Sequence, residues 1–556
     1  MFNRNLELID NLALKRRLNK ISLQDSRVGI SYCVTPSNDY VLLKDELPAD
    51  DLHNPREAIA KMLDKNIKNE LRTNDIIITF GIGLGYLLDE VFNRYPSKIF
   101  IYEPDINILH FVLNNVDISE HLASGRIYIT NDLEELISKL SSVYLTKDRV
   151  EIAFLPNYAI IKSKELLLLT QKVFEACKSK MIDVNTIVKF SKVWLENTID
   201  NISAINDKEA YLLSDLENRF VGQTALVVGA GPSLKDNIAK IQANRDDYVI
   251  FAVNKIAQYL INNNIIPDFI VCLDAQNVGK TLDGIGENVN EINLISDIRA
   301  DKELMSKDFK KVFFNFSETD FFIKKLLKYN DFMKFYEAGG SASILALTAA
   351  VKLGFSKVVL AGVDLAFKNN EIYSYGEVVN RISQNEIIVD YVKKNLVQVK
   401  SVNGDLVYTR DDYETFIHHF EVLIKDLNYS EIYNISSFGA LISGVKNVSF
   451  DDIKTYSHRN LAPLSMISPF KLDVQNFIQE EFYNINNIIS MLSKGVFSTD
   501  LVSTIIKSVL VYQYMQSDIL MVLQRNFDVE LAQNFIDNTK VAIKTIVEQL
   551  QRNRLI

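Results

Sequence analysis

The sequence predicts an α/β protein with two Rossmann-like parallel-sheet domains followed by an all-helical C-terminal domain. In two separate regions, short β-branched runs alternate with helical segments, a pattern typical of parallel sheets with crossover helices. Beyond about Pro469 the apolar spacing is helical throughout. We expect an N-terminal α/β domain at 1–160, a helical linker at 161–205, a central domain at 206–465 and a helical domain at 466–556.

The N-terminal region begins with an amphipathic stretch, MFNRNLELIDNLALKRRLNK, that predicts a first helix and lacks the apolar core of a secretory signal. Between Asp75 and Tyr158, strands are predicted from the runs DIIITF, KIFIYEPD, GRIYIT and VEIAFL. From Ser163 to about Asn201, apolar residues recur at helical spacing without proline or glycine. This spacing indicates one long helix or a pair of helices that connects the two sheets.

The central region repeats the α/β pattern from Thr224 onward. Its strands are predicted from ALVVGAGPSL, YVIFAVN, DFIVCLDAQ, INLISD, KVFFNF, KVVLAGVDL and EIYNIS. The helical tail that follows carries apolar stripes, among them Phe477, Phe482, Ile485 and Ile489. Such stripes are more often core than docking groove, so we expect them to form the core of a bundle.

Composition excludes several classes of function. The chain has 556 residues and a formal net charge of −10, which argues against a general nucleic-acid binder. Its three cysteines, Cys33, Cys177 and Cys272, are widely spaced and suggest neither a disulfide framework nor a zinc site. The most apolar late segment carries Lys507 and Asp518, so no transmembrane helix is predicted. We therefore expect a cytoplasmic protein without membrane insertion.

The stretch VVGAGPSL predicts an anion-binding turn. A strand that ends in Gly-x-Gly before a helix lets backbone amides approach an anionic group without interference from a Cβ atom. Gly229, Gly231, Pro232 and Ser233 form this turn, and Ser233 is placed to cap the helix that follows. The alternative is a tight strand-to-helix turn without a ligand, because a third glycine is missing from the dinucleotide fingerprint.

Polar residues also follow the next two strands of the predicted sheet. Asn254 ends the run AVN, and Asp274 and Gln276 end the run CLDAQ. In open parallel sheets the ligand crevice lies outside the carboxyl ends of the strands. Three successive polar strand ends therefore predict a binding site at this edge.

A second constellation lies in EAGGSASILALTAAVKLGFSKVVLAGVDLAF. Gly339, Gly340 and Ser341 precede a helix of small residues whose first amides offer another anion site, with Ser341 or Ser343 as the cap. Close packing of the helix on the sheet is the alternative explanation. Asp364 follows the strand VVLAG, where its carboxylate is suited to a sugar hydroxyl. The polar loop after it is long enough to act as a lid.

These motifs, in this order, resemble the Maf (motility accessory factor) flagellin glycosyltransferases and, more distantly, the bacterial CMP-dependent sialyltransferases. The resemblance covers roughly residues 200 to 450 and implies a GT-A/sialyltransferase-like central domain between an N-terminal Rossmann-like domain and a helical C-terminal domain. It further implies an enzyme that transfers a nonulosonic acid, of the pseudaminic or legionaminic type, from its CMP form to serine or threonine of flagellin. That activity supports flagellar assembly and motility, with the CMP-sugar as donor substrate and no cofactor.

The resemblance assigns roles to individual residues. Gly229, Gly231, Pro232 and Ser233 match the nucleotide-phosphate turn of the sialyltransferases, with Ala230 in place of their asparagine. Asn254 matches the asparagine at the second strand end, and Gly340 with Ser341 matches the helix start, with Gly and Ser in reversed order. Asp364 matches the carboxylate of the Gly-Ile-Asp strand end. Tyr373 and Tyr375 match the tyrosines that steady the departing phosphate.

The chemistry of transfer requires a base and neutral donors. Loss of CMP from a 2-keto sugar builds negative charge on the phosphate, which tyrosine hydroxyls and helix amides stabilise without a metal. The acceptor hydroxyl requires a base, and the candidates are Glu337, Asp364, His418 and His419. Asp274 is a lone carboxylate, which favours a ribose or acceptor contact over a metal site.

Three other interpretations remain open. Gly81, Gly83 and Gly85, with Glu103 at the next strand end, resemble a methyltransferase or dinucleotide site, although we expect this domain to have kept the scaffold and lost the ligand. An archaeal pterin pyrophosphokinase family similar to the central domain suggests pyrophosphoryl transfer from ATP, which needs a magnesium-binding carboxylate cluster. The third interpretation is a non-enzymatic factor that binds flagellin through its C-terminal helices.

Overall fold

The fold is described from a computed structural model that defines residues 1–316, 321–330, 334–336, 338–367, 396–455, 457–493, 497–524 and 529–556. The chain divides into two compact units, Met1–Thr186 and Ile187–Ile556. The division falls within one helix, Ser163–Asp207, which is a single element of 45 residues. The connecting segment was predicted as one long helix or a pair of helices, and the structure has one long helix.

The first unit has an α/β core beneath a small antiparallel meander. Its helices are α1 (Phe2–Glu7), α2 (Leu12–Leu18), α3 (Pro55–Asn66), α4 (Tyr86–Arg94), α5 (Ile106–Asn115), α6 (Ser119–Ala123), α7 (Leu133–Val143), α8 (Tyr158–Ile161) and the start of α9 (Ser163–Asp207). Its strands are β1 (Ile30–Val34), β2 (Tyr40–Lys44), β3 (Leu47–Pro48), β4 (Ile76–Phe80), β5 (Lys98–Tyr102), β6 (Ile127–Thr130) and β7 (Val150–Phe154).

The predicted N-terminal sheet is confirmed. Strands β4 to β7 pair in parallel in the order β6-β5-β4-β7, and β4 is buried along its whole length, as its unbroken apolar run requires. The predicted first helix is instead two short helices, because Asn11 begins α2 by accepting a hydrogen bond from the amide of Leu14. The antiparallel meander of β1 to β3 was not predicted.

The second unit is built on a large parallel sheet with helices on both faces. Its strands are β8 (Tyr211–Leu212), β9 (Thr224–Val228), β10 (Val249–Val253), β11 (Phe269–Cys272), β12 (Asn293–Asp297), β13 (Lys311–Asn315), β14 (Lys357–Ala361), β15 (Leu396–Lys400), β16 (Leu406–Arg410), β17 (Ile432–Asn434) and β18 (Lys446–Asn447). Its helices are α10 (Leu234–Ala243), α11 (Asn254–Asn262), α12 (Val278–Thr281), α13 (Phe321–Leu326), α14 (Ala342–Lys352), α15 (Asp411–Leu427), α16 (Gln475–Leu492), α17 (Thr499–Lys507), α18 (Val509–Tyr514), α19 (Gln516–Gln524) and α20 (Val529–Arg552).

The order of the strands places a topological switch point between β9 and β14. Among the described residues, nine strands pair in the order β18-β17-β14-β9-β10-β11-β12-β13-β8, and every pair is parallel. The chain runs from β9 towards β13 on one side and then returns to β14 on the other side of β9. Because ligands of open α/β sheets bind where the strand order reverses, this edge is the expected ligand crevice.

Helix α14 lies against the sheet strands β9, β10 and β11, and its apolar residues from Ile344 to Ala350 are buried in the same core. The small residues of this helix permit the close approach. A hairpin of β15 and β16, which was not predicted, follows the switch-point strand in the chain. The backbone amide of Phe367 bonds the carbonyl of Tyr408, so the hairpin is tied to the loop after β14.

The C-terminal helices pack on the side of the second unit through an apolar core and one buried ionic network. Phe477 and Ile485 are buried as predicted, and Phe482 is partly buried, but Ile489 is 47% exposed and does not join the core. Lys325 Nζ lies 2.6 Å from Glu481 Oε1, and the other Glu481 oxygen accepts bonds from the Ser508 hydroxyl and the Leu510 amide. These bonds satisfy a carboxylate that is fully buried. No helix in the described ranges is both long and apolar enough to cross a membrane.

Candidate functional site

Two glycine turns interlock at the switch point. The amide of Gly229 donates to the Ala361 carbonyl at 2.8 Å, and the amide of Gly231 donates to the Gly362 carbonyl at 2.7 Å. A Cβ atom on Gly229 would lie 2.5 Å from the Gly362 carbonyl oxygen, and one on Gly231 would lie 2.6 Å from an Asp364 carboxylate oxygen. Close approach of two backbones therefore explains these glycines without a ligand.

The Asp364 carboxylate joins the two turns. Its Oδ2 accepts the backbone amide of Ser233 at 2.7 Å, and its Oδ1 accepts the hydroxyls of Ser233 at 2.5 Å and Ser436 at 2.9 Å. The side chain is 2% exposed. Hydrogen bonds to both oxygens offset the cost of burying a carboxylate. The predicted cap by the Ser233 side chain is wrong, because Ser233 holds the N-cap position but gives its hydroxyl to Asp364.

Asp364 thereby occupies the start of α10. A carboxylate that accepts the amide of Ser233 takes the position that an anionic ligand would use at a helix N-terminus. The amides of Gly229, Gly231 and Ser233 are all bonded within the protein, and Pro232 has no amide hydrogen. The nucleotide role predicted for these four residues stays a prediction. The role of Asp364 as a general base or sugar contact also stays a prediction. The geometry favours a structural role for this residue.

The start of α14 has a different environment. Gly339 and Gly340 adopt positive φ angles of 48° and 72°, and the helix begins at Ala342. Ser341 holds the N-cap position without a capping bond from its side chain, and Ser343 lies inside the helix, so the predicted side-chain cap is wrong. Gly340 is exposed, while Ser341, Ala342 and Ser343 are half-buried. The first amides of a helix have no intrahelical partner, which makes this end suitable for an anion.

His419 lies directly behind this helix start. Its Nδ1 atom lies 2.9 Å from the carbonyl oxygen of Gly339. Because a carbonyl only accepts, Nδ1 must carry the hydrogen, and the neutral ring then presents Nε2 as an acceptor. Its neighbour His418 is exposed on α15. Of the two histidines predicted as base candidates, the structure therefore places His419 at the start of α14.

The polar residues of the next two strand ends occupy different environments. Asn254 is 4% exposed and is the first residue of α11. Asp274 and Gln276 are exposed, and Asp274 Oδ2 lies 4.0 Å from Lys255 Nζ. Within the described ranges, no group of three or more His, Cys, Asp or Glu side chains is arranged to hold a metal ion.

Three predicted site residues lie outside the described residues: Glu337, Tyr373 and Tyr375. Two residues that bear on the site were missed. Ser436 follows β17 and bonds Asp364, and Asp301 accepts the amides of Val278 and Gly279 at the start of α12. Ser436 had a signal that was not used, since it ends the predicted strand run EIYNIS, and a polar residue at a strand end marks the same sheet edge.

A surface pocket of about 940 Å³ lies elsewhere in the second unit, among the C-terminal helices. Phe482, Tyr483, Gln479, Asn486 and Arg554 are among its lining residues. None of the predicted site residues lines it.

The glycine turn of the N-terminal sheet is closed by its own chain. Gly81, Gly83 and Gly85 all have positive φ angles, but a Cβ atom on Gly81 would lie 2.7 Å from the Tyr158 ring. Glu103 is fully buried and accepts bonds from the Tyr158 hydroxyl at 3.1 Å and from the Ile82 amide at 3.2 Å. This carboxylate is therefore engaged within the protein. The geometry favours the expectation that the domain kept its scaffold and lost the ligand.

Asp50 closes the same turn from the other side. Its carboxyl oxygen lies 2.8 Å from the position of a Cβ atom on Gly83, and its Oδ1 atom has no hydrogen-bond partner among the described residues. Burial, and secondarily the charge of Asp51, raises the pKa of Asp50 to about 7. The carboxyl group is therefore protonated in mildly acidic solution.

The arrangement in the second unit defines a class: a doubly wound α/β protein with polar groups at a switch point. A model of the family described as "6-hydroxymethylpterin diphosphokinase MptE-like" matches residues 196–370, which include both interlocking turns and α14. An uncharacterized protein of Treponema pallidum (strain Nichols) is 32% identical over 103 residues. That alignment covers 18% of this chain and 47% of the relative, so the chain matches about half the length of that protein.

A solved structure covers the whole chain. The Maf glycosyltransferase from Magnetospirillum magneticum AMB-1 superposes with a TM-score of 0.64 over 100% of this chain and 96% of that protein, at 16% sequence identity. The chain therefore shares the fold of that glycosyltransferase. The predicted fold class, with parallel-sheet domains followed by a helical C-terminal region, is confirmed by this match.

The Asp364 link predicts a large loss of stability in Asp364→Asn. An amide leaves one donor of the buried cluster without an acceptor, so the free energy of unfolding should fall by about 2–4 kcal/mol. Trp194, the chain's single tryptophan, lies in the second unit and reports unfolding in urea by its fluorescence. Asp274→Asn, at an exposed strand end, is the matched control and should change stability by less than about 0.5 kcal/mol. Equal stability of the two variants would refute the link.

The buried Asp50 predicts that the first unit loses stability as pH rises. Its pKa is raised on folding, so the folded state holds a proton that the unfolded state releases, and stability declines between about pH 4 and 7. The decline should amount to at most about 4 kcal/mol. Hydrogen exchange of β4 and β5 amides at pH 5 to 8 measures it. Asp50→Asn should make the decline smaller, whereas Asp51→Asn should keep most of it; a flat wild-type profile would contradict the assignment.

Proposed function

We propose that the chain is a glycosyltransferase that moves a nonulosonic acid, of the pseudaminic or legionaminic type, from its CMP form to serine or threonine of a protein acceptor, with flagellin as the expected acceptor. The observation that carries the proposal is the full-length match to the fold of a Maf glycosyltransferase. The open start of α14 beside the switch point supports it independently, because a CMP phosphate requires an anion site at this edge.

In the proposed reaction the acceptor oxygen bonds to the anomeric carbon as the bond from that carbon to the phosphate oxygen breaks. The electron pair leaves with CMP, and the amides of Ala342 and Ser343 at the start of α14 stabilise the charge that develops on the phosphate. No metal is needed for this step if neutral donors surround the leaving group. Tyr373 and Tyr375 are the side chains proposed to add such donors.

We assign the base to His419. Its Nδ1–H is held by the Gly339 carbonyl, which fixes the ring and leaves Nε2 to accept the proton of the acceptor hydroxyl. Asp364 is less suitable because both of its oxygens already accept hydrogen bonds. Asp274, Gln276 and Asn254 are proposed to contact the nucleotide ribose or the acceptor from the neighbouring strand ends.

The proposal predicts that purified protein adds the mass of one or more nonulosonic acid residues to flagellin in the presence of the CMP-sugar, measured by mass spectrometry. His419→Ala should lower kcat by about 10²–10⁴-fold while CMP still binds, because the ring supplies a base and not a phosphate contact. His458→Ala, which changes an exposed histidine elsewhere in the unit, is the control and should keep the full rate.

The outcomes separate the parts of the proposal. If the wild-type protein leaves the mass of flagellin unchanged but still binds it, the protein is a flagellin-binding factor and the transfer assignment is wrong. If transfer occurs and His419→Ala keeps the full rate, the base is another group.

The family match favours a second candidate, transfer of pyrophosphate from ATP to a hydroxymethylpterin. That reaction requires carboxylates that hold magnesium, and Asp274 and Asp364 are the visible candidates. Asp364 is saturated by its serine partners and Asp274 lies beside Lys255, which weakens this reading. Formation of AMP from ATP, pterin and magnesium, with no transfer from a CMP-sugar, would favour it over the first proposal.

A further inference from the structure

The antiparallel meander of the first unit has an open edge at β1. The strand order β1-β2-β3 gives β1 a neighbour on one side only. Tyr32 and Val34 of this strand are 61% and 56% exposed. Tyr40 of the adjoining β2 is 50% exposed, and its ring lies 5.6 Å from that of Tyr32. An exposed apolar strand at a sheet edge offers its backbone to another strand.

The register with β2 decides which backbone groups lie on this edge. In an antiparallel pair, residues that bond the neighbouring strand alternate with residues that face away from it. Gly29 and Thr35, at the two ends of β1, are both bonded on the β2 side, so the odd-numbered residues of β1 face β2. The amides and carbonyls of Ile30, Tyr32 and Val34 therefore point outward, and none of the described residues bonds them. We call these six groups the β1 edge.

The two outer strands of the meander differ in their protection against pairing. Proline and charged side chains are the usual devices that keep an edge strand from pairing with another chain. At the other side of the meander, β3 consists of Leu47 and Pro48, and proline has no amide to offer. The strand β1 reads ISYCV, with neither proline nor charge. This contrast indicates that another strand covers the β1 edge.

We propose that the β1 edge pairs with the β1 edge of a second copy of this chain, in antiparallel direction about a two-fold axis at Tyr32. Ile30 then lies opposite Val34 of the second copy and Tyr32 opposite its own counterpart, so all six groups find partners. The two three-stranded meanders form one continuous sheet. Gly29, with a φ of 67°, bends the chain before the edge, and Pro36 lacks an amide just after it. The pairing therefore uses the whole length that the edge offers.

The charges around the edge favour a second copy. The chain is uncharged from residue 28 to residue 38, with Arg27 before this stretch and Asp39, which Arg56 pairs, after it. The edge thus has no charge by which an acidic or a basic partner would be selected. Antiparallel pairing brings the Arg27 end of one copy to the Asp39 end of the other, so equal charges do not meet.

The nearest like charges that the pairing aligns are Asp45 of one copy and Asp39 of the other. Because these residues follow and precede β2, three strand spacings separate them, which is about 14 Å. This distance exceeds the Debye length of about 10 Å at 0.1 M salt, so their repulsion is largely screened.

The size of the interface predicts a weak dimer. Taking about 200 Å² for a whole tyrosine side chain and about 100 Å² for valine, the exposed parts of Tyr32, Val34 and Tyr40 amount to about 300 Å² per copy. Two copies bury on the order of 600 Å² of side chain besides the paired backbones, which is typical of weak interfaces. We expect a dissociation constant of about 10–100 μM. The dimer is independent of the proposed function, since none of these residues belongs to the candidate site.

The first test is the mass of the full-length protein in solution, measured by sedimentation and light scattering at about 5–500 μM. Wild type should change from the monomer mass to twice that mass across this range. Tyr32→Glu sets two carboxylates opposite each other and should remain a monomer with unchanged circular dichroism. Leu47→Glu, which puts the same charge on the 53% exposed leucine of β3, is the matched control and should still dimerise. A monomeric wild type overturns the proposal, as does a Tyr32→Glu protein that dimerises like the wild type.

A mixture of two charge variants tests the position of the axis. Tyr32→Lys alone should be a monomer for the same reason as Tyr32→Glu. An equimolar mixture of the two variants should dimerise, because each strand then faces a strand of opposite charge at this position. A mixture that stays monomeric contradicts an axis at Tyr32.

Cysteine cross-linking tests the register. Ser31 comes opposite Cys33 of the second copy as a non-hydrogen-bonded pair, whose Cα atoms lie about 4.5 Å apart and within reach of a disulfide. In a background with Cys177 replaced by serine, Ser31→Cys should therefore give a covalent dimer on oxidation, whereas the background alone should give little. Within one strand the two side chains lie about 7 Å apart, too far for an internal disulfide. Equal cross-linking of the variant and the background contradicts the register.

Hydrogen exchange identifies the occupant of the edge. With rising concentration of the wild-type protein, the outward amides of Ile30, Tyr32 and Val34 should gain protection, whereas those of Ser31 and Cys33 are already bonded to β2 and should change little. If the wild type is a monomer whose β1 edge gains protection only when flagellin is added, the occupant is the acceptor and the proposal fails.

Discussion

One buried carboxylate determines how the turns at the carboxyl ends of the central strands are arranged. Asp364 binds the backbone and hydroxyl of Ser233 and the hydroxyl of Ser436, and the three residues come from three separate parts of the chain. Because the bonds satisfy a group that is almost fully buried, the turns after β9, β14 and β17 are held in one arrangement. The glycines beside it are needed for the same reason, since any side chain there would collide with the opposite turn.

This constraint separates the two helix starts that flank the switch point. The start of α10 is filled by the protein's own carboxylate, whereas the start of α14 begins with an exposed glycine. Of the two helix starts, that of α14 is therefore the one that we propose for the nucleotide phosphate. His419 lies at the same helix start, and its contact with the Gly339 carbonyl orients the imidazole.

The sequence predicted the parts of the fold that depend on local pattern. Unbroken apolar runs identified the central strands, and the glycine and polar residues after them marked the carboxyl ends of those strands. The partners of Asp364 were beyond this reasoning, since Ser233 and Ser436 lie 131 and 72 residues away in the chain and only the order of the strands brings them together. The side-chain caps predicted at Ser233 and Ser341 do not form, and at Ser233 the hydroxyl instead donates to the distant Asp364 carboxylate.

The most direct measurement is a crystal structure of the protein with CMP bound. We expect the phosphate to lie within about 3 Å of the Ala342 and Ser343 amides, with the Asp364 carboxylate still bonded to Ser233 and Ser436. A phosphate seated on the Ser233 amide with Asp364 displaced, or a nucleotide lodged among the C-terminal helices, would contradict it.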